Sequence, residues 1–202
     1  MTRVKICGLR RREDVEAVNR ALPDFVGFVF AKSRRRITPE LAASLKNQLD
    51  PHIEVVGVFV NQNIEVIRDL YRSGIIDLAQ LHGDENREYI ERLRQCCGCR
   101  VIKALSVGSA LPPLPQKTDY LLFDTQSALR GGGGTPFDWD LLKSYQGPPY
   151  FLAGGLSAQN VRAAVNATAP FCVDVSSGVE TDGWKDRDKI AEFVRLVKEN
   201  NG

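Results

Sequence analysis

Val4-Lys5-Ile6-Cys7-Gly8-Leu9-Arg10 is the stretch that decides the fold. Val4–Cys7 reads as a short strand, and it ends on a cysteine and a single glycine. An open nucleotide-binding sheet would usually place Gly-x-Gly-x-x-Gly at this first turn. Cys7-Gly8-Leu9-Arg10 does not match it. Outward from here the chain alternates β-branched runs with helical patterns about eight times. The further strands are expected at Phe25–Phe30, Glu54–Phe59, Leu78–Leu81, Arg100–Ala104, Tyr120–Asp124, Tyr150–Leu152 and Cys172–Val175. Between them, helical stretches are expected at Glu13–Leu22, Pro39–Leu49, Ile64–Ser73 and Asn86–Gln95. Thr38 before Pro39, Asn63 before Ile64 and Ser157 before Ala158 are candidate N-caps. Strand and helix alternating at this density imply parallel βαβ units. Eight of them in 202 residues imply a closed α/β architecture, a single (βα)8 TIM barrel spanning 1–202 as one domain.

Composition narrows the class. Hydrophobic residues make up 43% of the chain and charged residues 26%, an ordinary globular balance. A net charge of +2 provides no broad basic field for nucleic acid. No apolar run approaches the roughly 20 residues needed to cross a bilayer, and the first residues lack a signal-peptide pattern, so a cytoplasmic enzyme is expected. The five cysteines, Cys7, Cys96, Cys97, Cys99 and Cys172, are an odd count without a secretory context, which argues against a disulfide framework. Cys96-Cys97-Gly98-Cys99 lacks the second Cys or His pair of a zinc site and reads as surface thiols. The two histidines, His52 and His82, are isolated. No metal and no cofactor are expected.

Barrel chemistry gathers at the C-terminal ends of the strands. Cys7 ends the first strand, and alternation turns Lys5 and Cys7 to the same side, inward. Two readings fit: a thiol made nucleophilic or basic by a neighbouring ammonium, or a small buried hydrophobe. Asp124 closes the sixth strand after Tyr120-Leu121-Leu122-Phe123. A carboxylate there is costly unless solvated, paired or used. Gln126–Pro136, with glycines at Gly131–Gly134, follows it and suits a loop that closes over substrate. Val107–Thr118, with three prolines, is the other loop-like segment. Strands seven and eight end in Ala153-Gly154-Gly155-Leu156 and Asp174-Val175-Ser176-Ser177-Gly178. Small residues at Gly154, Gly155, Ser176 and Ser177 let backbone N–H groups converge on a phosphate, and each turn is expected to lead into a helix N-terminus. Ser33-Arg34-Arg35-Arg36-Ile37 is either a solvated basic loop or the source of a guanidinium that grips a substrate carboxylate. His82, in Gln80-Leu81-His82-Gly83-Asp84-Glu85, either lines the pocket or enters a helix.

From Lys5 to about Asp186 these motifs, taken in order, resemble the phosphoribosylanthranilate isomerase family. Lys5-Ile6-Cys7-Gly8-Leu9 resembles its opening strand, and the resemblance makes Cys7 the general base. Leu122-Phe123-Asp124-Thr125, with Phe137-Asp138-Trp139 downstream, is similar to its sixth strand and makes Asp124 the general acid. The family's Ser-x-Arg-x-hydrophobic segment maps the substrate-binding arginine onto Arg35, with His82 beside the substrate. Val56–Asn61, Ala153–Ser157, Asn160-Val161 and Asp174–Glu180 are also similar to family segments, the last ones to its phosphate-binding end. Arg36 stands where several members carry an aromatic residue, and the Cys96–Cys99 cluster is not a family feature. The implied reaction is an Amadori rearrangement of N-(5-phosphoribosyl)anthranilate in tryptophan biosynthesis, by a monomer or homodimer. The sister aminoaldose isomerase of histidine biosynthesis would carry an aspartate where Cys7 stands and a second phosphate loop after strand three. Phe59-Val60-Asn61-Gln62-Asn63 has no glycine to form one. A catalytically silent phosphate-binding barrel would need neither Cys7 nor Asp124.

Overall fold

In the computed structural model, which describes residues 1–115, 118–125 and 136–200, eight parallel strands close into a ring. In chain order the elements are β1 (Arg3–Cys7), α1 (Arg12–Ala21), β2 (Phe25–Val29), α2 (Pro39–Lys46), β3 (Glu54–Phe59), α3 (Ile64–Arg72), β4 (Leu78–Leu81) and α4 (Arg87–Cys97). There follow β5 (Arg100–Val107), β6 (Tyr120–Thr125), β7 (Tyr150–Leu152), α5 (Val161–Thr168), β8 (Cys172–Val175) and α6 (Arg187–Glu199). A small antiparallel hairpin, β9 (Glu180–Thr181) with β10 (Trp184–Lys185), sits between β8 and α6. The ring closes by β1 pairing with β8, Lys5 opposite Asp174.

Alternation along each strand separates two cores. Phe25, Val56, Leu78, Ile102, Leu122 and Phe151 fill the inside of the ring. Val4, Ile6, Phe28, Phe123 and Val173 face outward under the helices, where Phe193 of α6 meets them. Burying each such side chain stabilises the fold by about 1.5–3 kcal/mol. At the opposite rim from the site, three aspartates stand directly ahead of even-numbered strands. Asp24, Asp77 and Asp119 accept from the amides of Val4, Val55 and Val101, on the odd-numbered strand before each. These bonds pin the register of β1 to β2, β3 to β4 and β5 to β6.

Thr38 and Asn63 cap α2 and α3 through Leu41 N–H and Glu65 N–H. Ser157 is not a cap: α5 begins only at Val161, because Asn160 Oδ1 takes the Ser157 amide and folds 157–160 into a preliminary turn. β5 runs past Ala104 to Val107, because its edge stays paired with β6 up to Thr125. Among the described residues, no α-helix lies between β5 and β6, where Pro112, Pro113 and Pro115 remove backbone donors. A 3₁₀ turn at Trp139–Leu142 is the only described helical piece between β6 and β7. Gly131–Gly134, expected in a closing loop, lie outside the described residues. Cys99 departs from its expected place among surface thiols. Gly98 ends α4 in the left-handed conformation (φ 69°) and turns Cys99 inward to 1% exposure.

Candidate active site

The thiol of Cys7 owes its position to a missing side chain on the next strand. Gly27 of β2 pairs with Cys7, and a Cβ there would lie 2.6 Å from the sulfur. Ser176, at the end of β8, donates its hydroxyl to the Cys7 carbonyl at 3.0 Å. Beneath the thiol, Lys5 and Asp174 form an ion pair at 3.0 Å inside the ring, the lysine fully buried. Burial favours the neutral amine, but Asp174 and Cys7 overrule it, and Lys5 titrates above its ordinary 10.5.

Lys5 therefore stands beside Cys7 as expected, but it does not leave a ready thiolate. Burial is the largest influence on the thiol and raises its pKa. Lys5 and Lys185 pull it down, Asp174 pushes it up, and the result lies above the ordinary 9.0. These surroundings favour the thiol form of Cys7 over the thiolate at neutral pH.

Across the mouth, Asp124 is the last residue but one of β6, with 8% of its surface exposed. His82 Nε2 lies 3.5 Å from Asp124 Oδ2. On its other side, His82 Nδ1 is 3.1 Å from the Gln80 amide nitrogen. The loop behind His82 is fastened by a buried pair: Lys103 meets Glu85 at 2.9 Å, and Glu85 accepts from the amides of Asn61 and Gly83.

Arg35 reaches the same rim but is already engaged. Its Nε and Nη2 bind Glu180 of the hairpin at 2.7 and 2.9 Å, a two-point fork, and Arg34 also reaches Glu180, at 2.9 Å. Gly8 makes the approach passable, since it takes φ +88° and a Cβ there would strike the Arg35 side chain. Arg36 is exposed and, among the described residues, its guanidinium has no partner. Lys185 Nζ, 6% exposed as a residue, binds Glu180 at 2.9 Å and the Ser176 carbonyl at 2.8 Å. Burial alone would raise the Glu180 pKa; Arg35 and Lys185 bring it from 4.5 down to about 2.

Between the acid strand and the thiol strand lie β7 and β8, and their turns complete the rim. Gly154 (φ 87°) and Gly155 (φ 66°) follow β7 in conformations that favour glycine, and a Cβ on Gly154 would overlap Thr125. A Cβ on Gly178 would overlap the Leu156 carbonyl, so the two turns lie against each other. Among the described residues, the amide N–H groups of Gly154, Gly155, Ser176 and Ser177 find no acceptor. Backbone amides left without a protein acceptor on two adjacent turns suit an anion. Neither turn opens straight onto an α-helix: residues 156–160 intervene before α5, and Ser177–Val179 form a 3₁₀ turn before the hairpin.

Cys7, Arg35, His82, Asp124, Gly154, Gly155, Ser176 and Ser177 thus lie at the C-terminal ends of their strands or in the turns that follow, on one rim, with Arg35 tied to Glu180. Sequence reading assigned no role to Gln80, Asp174, Glu180 or Lys185. Gln80 and Asp174 were within reach of the alternation argument, each lying two residues before a chosen one, His82 and Ser176. Nothing local marks Lys185, whose place depends on the hairpin folding back.

Comparison with known proteins agrees with this geometry. The profile of the N-(5'-phosphoribosyl)anthranilate isomerase family matches residues 4–196. The chain is 48% identical to the N-(5'-phosphoribosyl)anthranilate isomerase of Endomicrobium trichonymphae, over 98% of this chain and 99% of that protein. It is similar to the crystal structure of phosphoribosyl anthranilate isomerase from Thermotoga maritima, with 38% identity, a TM-score of 0.86, and coverage of 98% of this chain and 100% of the other. A further structure of such an isomerase, in complex with reduced 1-(o-carboxyphenylamino)-1-deoxyribulose 5-phosphate, matches at 36% identity and a TM-score of 0.83, covering 98% and 100% of the two chains. A barrel closed as β1–β8, a thiol and a carboxylate at its mouth and a profile match over nearly the whole length lead to one conclusion: this chain belongs to the phosphoribosylanthranilate isomerase family.

Proposed function

We propose that residues 1–202 act as one catalytic domain that converts N-(5-phosphoribosyl)anthranilate to 1-(2-carboxyphenylamino)-1-deoxyribulose 5-phosphate. The observation that carries this reading is the order around the rim. Asp124 on β6 and Cys7 on β1 flank the β7 and β8 turns, whose amides have no acceptor among the described residues, so one phosphate anchor serves both. Gly154, Gly155, Ser176 and Ser177 hold the phosphate there. Arg35, from the neighbouring β2 turn, receives the anthranilate carboxylate, and His82 lines the pocket beside the ribose.

Asp124 gives its proton to the furanose ring oxygen as the C1′–O bond breaks and the ring opens to a Schiff base. Cys7, as thiolate, removes the proton on C2′, and the resulting enolamine tautomerises to the ketone. One proton is given and one taken, so the protein returns to its starting state by exchange with solvent. The thiolate has to be generated from a raised thiol, and Lys5 and Lys185 are the two cations placed to favour it. The purified protein should consume N-(5-phosphoribosyl)anthranilate in a fluorescence assay. No turnover by correctly folded protein would overturn the proposal.

A further inference from the structure

Gln80 and His82 stand two residues apart at the top of β4, on the same side of the strand line. Gln80 is 2% exposed, and its amide nitrogen lies 3.1 Å from His82 Nδ1. Its amide oxygen is buried and has no partner among the described residues. The far side of the imidazole, Nε2, lies 3.5 Å from Asp124 Oδ2. We infer that Gln80 is a positioning residue: it holds His82 in the tautomer protonated on Nε2, and His82 in turn holds Oδ2 of Asp124. Oδ1 is thereby left to carry the proton given to the substrate. The inference rests on Asp124 being the general acid.

Both ends of the chain of contacts demand the same arrangement. A neutral imidazole has one N–H and one bare nitrogen, and Asp124 Oδ2 only accepts, both while the proton sits on Oδ1 and after it has been given away. The nitrogen facing Asp124 must therefore carry the hydrogen. Nδ1 is then bare and needs a donor, which the Gln80 NH₂ group supplies. Turning the amide over would require Nδ1–H and would set a bare Nε2 against the carboxylate lone pairs. As the Asp124 proton passes from Oδ1 to the ring oxygen and the C1′–O bond breaks, negative charge grows on the carboxylate. The contact of His82 Nε2–H with Oδ2, 3.5 Å in this structure, then tightens into a charge-assisted hydrogen bond. His82 keeps its own proton throughout.

The unpartnered oxygen separates this role from a structural one. Replacing Gln80 by an apolar side chain removes a buried acceptor that has no partner among the described residues, and this offsets the loss of its bond to His82. A residue kept for stability would not be a glutamine here. Gln80→Leu should therefore melt no lower than the parent, while its kcat falls by about 10–100-fold, the usual effect of losing a partner that sets a histidine tautomer at a metal site. KM should move by less than about threefold, because an interaction that strengthens in the transition state acts on kcat.

Nitrogen-15 NMR of the imidazoles reads the tautomer directly, and the exposed His52 is easily told from His82. The parent is expected to show His82 neutral with the hydrogen on Nε2, and Gln80→Leu a mixture of tautomers. A parent with the hydrogen on Nδ1 overturns the inference. So does a Gln80→Leu protein with unchanged kcat, or one that melts lower but turns over normally per folded molecule. Asp124→Asn is assayed alongside. If it is inactive while Gln80→Leu is normal, the positioning role alone falls. If it turns over normally, the acid assignment falls as well.

Discussion

At the scale of single residues, the roles proposed for Cys7 and Asp124 call for a test that separates binding from chemistry. Cys7→Ser and Asp124→Asn should each lower kcat by about two to four decades, the range of positioned acid and base groups, with little change in affinity for a product analogue. Steady-state kinetics and analogue titration check this, and near-normal turnover in either variant removes its role. The buried thiol makes a second prediction. Cys96 and Cys97 are half-buried, while Cys7 is 9% exposed with a pKa held above 9.0. Iodoacetamide should label Cys96 and Cys97 first, yet inactivation should follow Cys7 labelling alone and accelerate as pH rises toward the thiol pKa. Site-resolved mass spectrometry of partly inactivated protein decides it; loss of activity in step with Cys96 and Cys97 would refute it. The direction of the Cys7 side chain was legible from alternation with Lys5. Its ionisation was not, because the neighbours that offset Lys5 are a carboxylate 169 residues away and the walls of the barrel.

At the scale of elements, the eight strands were legible because β-branched runs between turn signals mark them, and most strand bounds in the sequence reading fall within two residues of those in the structure. What escaped was contact between elements distant in sequence. The β9–β10 hairpin is the clearest case: two residues per strand carry no period, yet Glu180 ties Arg34, Arg35 and Lys185 together. The same knot predicts an acid limb of stability. A carboxylate lowered from 4.5 to about 2 contributes fully above its unfolded value and loses that contribution as pH falls toward 2. Glu180→Gln should therefore lower the melting temperature at neutral pH and flatten its fall between about pH 4.5 and 2. Parallel melting curves of the same steepness in parent and variant would show that the knot stabilises nothing. If Arg35 receives the substrate carboxylate as proposed, releasing it from its fork should also change KM.

At the scale of the whole molecule, the site sits on one rim and the register-setting aspartates on the other, with the core between them. Loss of core packing should then cost stability before it costs chemistry. Phe193→Ala, on α6 and fully buried, should destabilise the fold by about 3–5 kcal/mol while leaving kcat at low temperature near the parent value. Denaturant titration with an activity assay tests this, and a kcat that collapses in still-folded protein would contradict it. The ring closure has one more consequence, in the order of synthesis. Cys7 leaves the ribosome long before Asp174, Ser176 and Lys185, which shape its surroundings. At roughly 5–20 residues per second the nascent thiol waits about 10–30 s for its environment. During that interval β1 and the newest strand are both raw sheet edges, open to pairing with other chains. The docking of β8 ends both exposures at once, so the enzyme's chemistry and its protection from aggregation are acquired in the same event.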